Sequence, residues 1–338
     1  MQTLYIDRKD SELEASSGRL SVRIPGALRP FSVPLNVLEF LVVSASVRFS
    51  STLLMQLTMA GVTLVFLNPR KQEATCMAHG LLHNNAERRL LQYQVVTNAA
   101  FQLRYSRLLV RAKVRSQNAT LLRILNKRPD QRLAITKGSR LLAELAGRAG
   151  DADSIESLRG IEGAAAAGYF VALQQVFAPA LEFNGRNRRP PRDPVNVVLS
   201  LAYTLAHAEA VRVLVATGFD PLLGIYHLPT FGRESLACDL VELYRPQLDR
   251  WVWRLFADQY LRADHFSMGD ALAAKPCMMG KAGRAQFYSA YEIRARRLRR
   301  AMRITARYWL GVLQAEHSLP APAEWVHDDD DRIDWGDA

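Results

Sequence analysis

The chain has 338 residues, 49% of them hydrophobic and 23% charged, and a net charge of +11. That length and composition suit a folded chain with two sizeable cores. Three scattered cysteines without a CxxC pair exclude a disulfide framework and a zinc knuckle, and point to a reduced, cytoplasmic home.

The opening residues MQTLYIDRKD are charged almost at once and lack the apolar core of a signal peptide. Through residue 80 or so the chain reads as β-rich. The segments TLYIDR, GRLSVRIP, VLEFLVVSASVRFS and GVTLVFLN are short apolar or alternating runs, punctuated by SSG, PGALRP and NPRK. One helix interrupts them at SSTLLMQLTMAG, with Ser50 or Ser51 to cap it and Gly61 to end it.

After Asn84 the pattern turns helical, with no Pro or Gly until past residue 127 and apolar residues such as Leu91, Val95, Ala99 and Leu103 in register. A domain boundary is placed near residue 86. Further helices are expected at about 134–147, 153–178, 194–217, 235–245, 247–263 and 284–316. The most membrane-like run, Val197 to Phe219, contains His207, Glu209 and Arg212, so a buried helix suits it better than a bilayer span. No membrane partner is expected.

Charge is unevenly spread. From His327 to Ala338 six Asp and one Arg carry −5, which leaves +16 on the rest. The acidic end, 321–338, is expected to be disordered. YEIRARRLRRAMRITARYW holds Arg294, Arg296, Arg297, Arg299, Arg300, Arg303 and Arg307, too many for one helix face, and so predicts a broad basic surface. NGRNRRPPRDP adds Arg186, Arg188, Arg189 and Arg192 in a loop. A basic body of this kind attracts polyanions such as nucleic acid.

No phosphate-cradling GxxxxGK[ST] or GxGxxG, no HExxH and no GxSxG is present. What stands out is RGIEGAAAAGYF, in which Glu162 heads a helix of the smallest side chains. Such a surface lets something bulky come close to the backbone, either a neighbouring helix or a ligand. A second polar cluster lies in FDPLLGIYHLPTFGRESLACDLVELYRP. There Gly218, Pro221 and Gly224 hold His227 in a constrained loop. Asp239 and Glu242, three apart, share one face of a following apolar helix. Each residue alone reads as structural. Together with Glu162 they form a mixed oxygen and nitrogen donor set that suits Mn²⁺ or Mg²⁺ better than structural zinc. A buried carboxylate pair also needs a cation beside it.

The stretches LRGIEGAAAAGYF, PVNVVLSLAYTLAHAEAV, GFDPLLGIYH and LACDLVELYRP, with LYIDRKDSELE and GVTLVFLNPR near the start, together resemble the CRISPR-associated integrase, the endonuclease of the spacer-acquisition module. The resemblance implies an α+β chain of two domains. A small β-sandwich-like domain at 1–86 would serve dimerisation, and a larger all-α catalytic domain would occupy 87–320. It implies Glu162, His227 and Glu242 as metal ligands, Asp239 as the neighbouring carboxylate, and Tyr203 close to the reacting groups; a core tyrosine on a buried helix is the other reading of Tyr203. The division of labour between Asp239 and Glu242 stays open at this point. The same resemblance implies a homodimer, double-stranded DNA fragments and CRISPR repeat DNA as substrates, and a small ferredoxin-like partner bridging two dimers in a prokaryotic cytoplasm. Joining would proceed by attack of a 3′-hydroxyl on a repeat phosphodiester. Candidate DNA contacts are Arg186, Arg188, Arg189, Arg245, Lys281, Arg284, Arg296 and Arg300. A non-catalytic nucleic-acid assembly subunit and a metal-dependent repair nuclease are the rival readings. The residues around Glu162 also admit a plainer account, in which Gly160, Gly163, Ala164, Ala167 and Gly168 permit a tight helix crossing and Glu162 pairs with an arginine.

Overall fold

The computed structural model describes residues 2–67, 75–78, 80, 85–187, 190–268 and 276–316. Its amino-terminal part holds two four-stranded sheets. In the first, β1 (Gln2–Ile6), β5 (Leu38–Val43) and β7 (Thr63–Phe66) run parallel, and β8 (Cys76–Ala78) closes one side antiparallel. In the second the order is β4 (Phe31–Pro34), β3 (Arg19–Arg23), β2 (Ser11–Ser16), β6 (Val47–Phe49). Ser17 and Gly18, both at positive φ, make the two-residue turn that joins β2 to β3. Between the sheets packs α1 (Ser51–Met59). Ser50 caps it by accepting the Leu53 amide at 3.2 Å, a contact worth about 1 kcal/mol. Leu13, Leu20, Val22, Leu41, Leu53 and Leu57 fill the shared core, which gives the sandwich-like layering that the resemblance implies.

Strand β5 is buried at all six positions because it serves two cores. Leu41 and Val43 belong to the amino-terminal core, whereas Phe40 and Val42 belong to the large core of the helical part. The pairing of β1 with β5 skips Glu39, since Gln2 sits opposite Leu38 and Thr3 opposite Phe40. The bulge sends the Glu39 carboxylate towards Arg299 and Arg212 of the helical part.

The helical part comprises α2 (Ala86–Val96), α3 (Ala99–Leu125), α4 (Arg132–Asp151), α5 (Ile155–Gln174), α6 (Pro194–Thr217), α7 (Ser235–Glu242), α8 (Arg245–Ala257) and α9 (Lys281–Glu316). A short hairpin, β9 (Phe266–Met268) with β10 (Cys277–Met279), was not expected from the sequence. Helix α6 is the central post. Asp193 caps it through the Asn196 amide, Pro194 opens it and Gly218, at φ 91°, ends it. It is long and apolar enough to cross a membrane, but two thirds of its apolar window is buried inside the fold.

The apolar register that runs through residues 91–103 is interrupted. Thr97 turns its hydroxyl back to the Tyr93 and Gln94 carbonyls and Asn98 caps a new helix through the Phe101 amide, which leaves Ala99 exposed. Helix α8 stops earlier than expected, where Gln259 adopts a left-handed conformation. Arg299 is the largest correction to the expected basic surface. Only 2% exposed, it lies among Glu39, Glu209 and Glu292. Arg296, Arg297, Arg300, Arg303 and Arg307 on the same helix are exposed.

Candidate active site

Three elements meet at the predicted cluster: the first half of α5, the loop 219–234 and helix α7. The loop is pinned by one carboxylate. Asp239, fully buried, accepts the amides of Ile225 at 2.6 Å and Tyr226 at 3.1 Å on one oxygen, and the amide of His227 at 3.0 Å on the other. That second oxygen also takes His227 Nδ1 at 2.6 Å. With Nδ1 donating, the neutral ring presents Nε2 as a lone pair, the arrangement in which a carboxylate orients a ligating histidine. All four donors to Asp239 come from the loop, so its carboxylate is spent on holding that segment, whereas Glu242, also buried, pairs with Lys113 and Arg245. Gly224 makes the tight turn possible, because a Cβ there would collide with the His227 carbonyl oxygen and with Ser235.

Glu162 and Glu242 converge on one cation, Lys113 of α3, a residue not picked out from the sequence. Its ammonium contacts Glu162 Oε1 and lies 2.6 Å from Glu242 Oε2. The remaining oxygens have other partners: the Tyr226 hydroxyl donates to Glu162 Oε2 at 2.7 Å, and Arg245 pairs with Glu242 Oε1. Burial works against ionisation of Glu242, but Arg245 and Lys113 outweigh it and bring its pKa down to about 2. Burial likewise opposes the charge on Lys113, and Glu242 and Glu162 raise its pKa above the usual lysine range. A lysine on the buried stripe of Val110, Val114 and Leu121 was the signal in the sequence.

Among the described residues no three His, Cys, Asp or Glu side chains stand at metal-holding distance from one another. The donor set nevertheless fits a hard divalent ion. Two carboxylates already share a cation position, and His227 is held next to α7 by Asp239.

The small residues beside Glu162 do not mediate a helix crossing along the whole stretch. Gly168 packs against Leu141 of α4, but Gly160 and Gly163 face open space and Ala164 and Ala167 are exposed. The partner of Glu162 is a lysine rather than an arginine.

Tyr203 lies a layer deeper. Its hydroxyl donates to Asp249, which also accepts Tyr169 at 3.0 Å, and its ring is flanked by the guanidinium groups of Arg186 and Arg245 at 5.4 and 4.8 Å. It reaches the carboxylates only through Arg245. Of the predicted DNA contacts, Arg186 is also bound to Asn196 and Ser200, and Arg284 to the Met279 carbonyl with Asp7 at 3.5 Å. Lys281, Arg296 and Arg300 are exposed, and Arg188 and Arg189 fall outside the described residues, as does the acidic end.

The family model of CRISPR associated protein Cas1 matches residues 4–293. A CRISPR-associated endonuclease Cas1 of Thermodesulfovibrio yellowstonii is 37% identical over 293 residues, 86% of this chain and 91% of its own length. Two solved structures share the fold. A casposase bound to integration product superposes with a TM-score of 0.81 at 17% identity, covering 94% of this chain and 92% of that one. A chain of a Cas6-RT-Cas1–Cas2 complex gives 0.78 at 20% identity, covering 94% of this chain and 35% of that one. With the match running from the first strand through both carboxylates and into the last helix, this chain belongs to the CRISPR-associated Cas1 family.

Proposed function

We propose that the chain is a divalent-metal-dependent DNA integrase that joins short DNA fragments into a CRISPR array. The observation that carries this reading is the convergence of Glu162 and Glu242, from separate helices, on one cation position beside a histidine held by Asp239. Glu162, Glu242 and His227 Nε2 would hold Mn²⁺ or Mg²⁺. When bound, the ion supplies Lewis-acid polarisation of the phosphodiester and charge stabilisation in its displacement.

The protein's own part is positioning. Asp239 holds the imidazole, and Tyr226 and Arg245 fix the outer oxygens of the two carboxylates. The bare face of α5 at Gly160 and Gly163 leaves room for a DNA backbone to approach Glu162. Attack by the 3′-hydroxyl of the fragment then exchanges one phosphodiester for another and needs no covalent protein nucleophile. Lys281, Arg296 and Arg300 are exposed cations suited to phosphate contact.

The casposase neighbour is bound to integration product, and the complex neighbour contains Cas2. By likeness to these, the substrates here are DNA fragments and repeat DNA, and the partner is a small bridging subunit. Exposed Leu28, Phe31, Met55 and Met59 on the amino-terminal part offer apolar surface to a second copy, in keeping with a homodimer. Three cysteines without disulfides suit a prokaryotic cytoplasm.

The test is an integration assay with short duplex DNA, a repeat-bearing plasmid, Mn²⁺ or Mg²⁺ and the small partner, comparing wild type with His227→Ala. Joining by wild type that disappears in the variant is the expected result. Tight DNA binding without joining or cutting by either protein would instead identify an assembly subunit.

A further inference from the structure

We propose that Lys113 is the resident counter-ion of the Glu162–Glu242 pair, and that a divalent ion enters by exchange with its ammonium rather than alongside it. This rests on the metal-site reading above and adds to it a competitor built into the chain.

The contacts divide the four carboxylate oxygens into two kinds. Glu162 Oε2 is held by the Tyr226 hydroxyl and Glu242 Oε1 by Arg245. The other two, Glu162 Oε1 and Glu242 Oε2, meet on Lys113. These are the oxygens that a shared ion would need. Glu242 Oε2 is buried and has no well-aligned hydrogen-bond donor, so its contact with Lys113 at 2.6 Å is a contact of charges more than of directed bonds. At Glu242 Oε2 an ion can replace the ammonium by charge alone, whereas at Glu162 Oε1 it must also take the place of the hydrogen bond that Lys113 donates.

Formal charge favours replacement over addition. The pair carries −2, and Lys113 with Arg245 brings the cluster to zero. A divalent ion added beside the ammonium would put two cations against the same two oxygens. Exchange leaves one net positive charge, which complements the single charge of an incoming phosphodiester. Lysine suits the task because its point charge rides on a flexible four-carbon stem, whereas an arginine fork would hold the pair more firmly. The ammonium also spares the metal-free protein two uncompensated carboxylates.

The experiment reads metal binding and lysine exposure rather than activity. Mn²⁺ is titrated into wild type, Lys113→Met and Lys113→Arg, and free Mn²⁺ is followed by electron paramagnetic resonance. With the competitor removed, Lys113→Met binds Mn²⁺ about tenfold more tightly than wild type, while Lys113→Arg does not gain. Thermal unfolding in chelator shows the Met variant below wild type, and Mn²⁺ raises its melting temperature by more than it raises that of wild type. Wild type alone gives an independent reading that needs no variant to fold. Labelling of Lys113 by acetic anhydride, measured by mass spectrometry, increases at saturating Mn²⁺. Bound Mn²⁺ with unchanged labelling, or a folded Met variant of equal or weaker affinity, would overturn the exchange and leave the metal site standing. Absence of Mn²⁺ and Mg²⁺ binding to both wild type and the Met variant would remove the two together.

Discussion

His227 and Asp239 meet twice on a single oxygen: the His227 amide at 3.0 Å and its ring Nδ1 at 2.6 Å both donate to Asp239 Oδ1. One carboxylate thus sets the path of the loop and the tautomer of the ring. Asp239→Asn keeps the shape but cannot accept all four donors as a carboxylate does. Divalent-metal affinity is expected to fall about 10–100-fold, with DNA joining falling alongside it, as calorimetric Mn²⁺ titration and the integration assay would show. Unchanged affinity would mean that Asp239 does not orient the ring.

Gly224 is the sterically tightest point of the same loop. A methyl group there meets the His227 carbonyl and Ser235. Gly224→Ala is expected to lower unfolding free energy by more than about 2 kcal/mol in chemical denaturation. Its Mn²⁺ affinity should drop even at temperatures where the variant is fully folded.

For Tyr203 the geometry gives support and no direct contact with the carboxylates. Tyr203→Phe leaves Asp249 with the Tyr169 donor alone, at a stability cost of about 1–3 kcal/mol. Joining should persist at a reduced rate, unlike in His227→Ala. Complete loss of joining with stability intact would place the phenol in the chemistry itself.

Stability should depend on pH through Glu209. Burial, only partly offset by Arg299 and Arg212, pushes its pKa up to about 8 from an ordinary value of 4.5. The folded state therefore holds this proton more tightly than the unfolded chain. The contribution is fully present below pH 4.5 and is lost as pH rises through about 8. Between pH 5.5 and 8.5, wild type should lose stability more steeply than Glu209→Gln, by up to about 1.4 kcal/mol per pH unit. His207, raised to about 9, and Asp249, raised to about 6, act in the same direction in both proteins, so they cancel in the comparison. The opposite shift of Glu242 operates below pH 4.5, outside the window. Parallel slopes in urea denaturation would refute the assignment.

Local signals carried much of the architecture. Asp193, Pro194 and Gly218 bound α6 at the residues expected, and Ser50 and Gly61 bracket α1, because capping is decided within a few residues. Glu162, His227, Asp239 and Glu242 stood out because charged groups on apolar or glycine-rich elements are rare. What escaped was the identity of partners distant in sequence. Lys113 lies 49 residues from Glu162, and its helical position marks only which face it occupies. Arg299 failed for the same reason: seven arginines on one helix look alike until the strand with Glu39 and the helix with Glu209 close on one of them. The role of Gly160 and Gly163 was likewise undecided, since a bare helix face can be packed or open and only the tertiary arrangement distinguishes the two.

The caged guanidinium of Arg299 has a mechanical consequence. It ties a strand of the amino-terminal sheets, the central helical post and the last long helix at one buried point, and Tyr5 stacks on Tyr288 alongside at 4.2 Å. Prising the sheets away from the helices would part Glu39 from Arg299 and Arg212 while Glu209 and Glu292 stay with Arg299, and breaking such a buried ion pair costs about 3–5 kcal/mol. A force applied to the sheets, as by a second copy seated there, is thus delivered to the helices as to one stiff lever, with no slack at the joint.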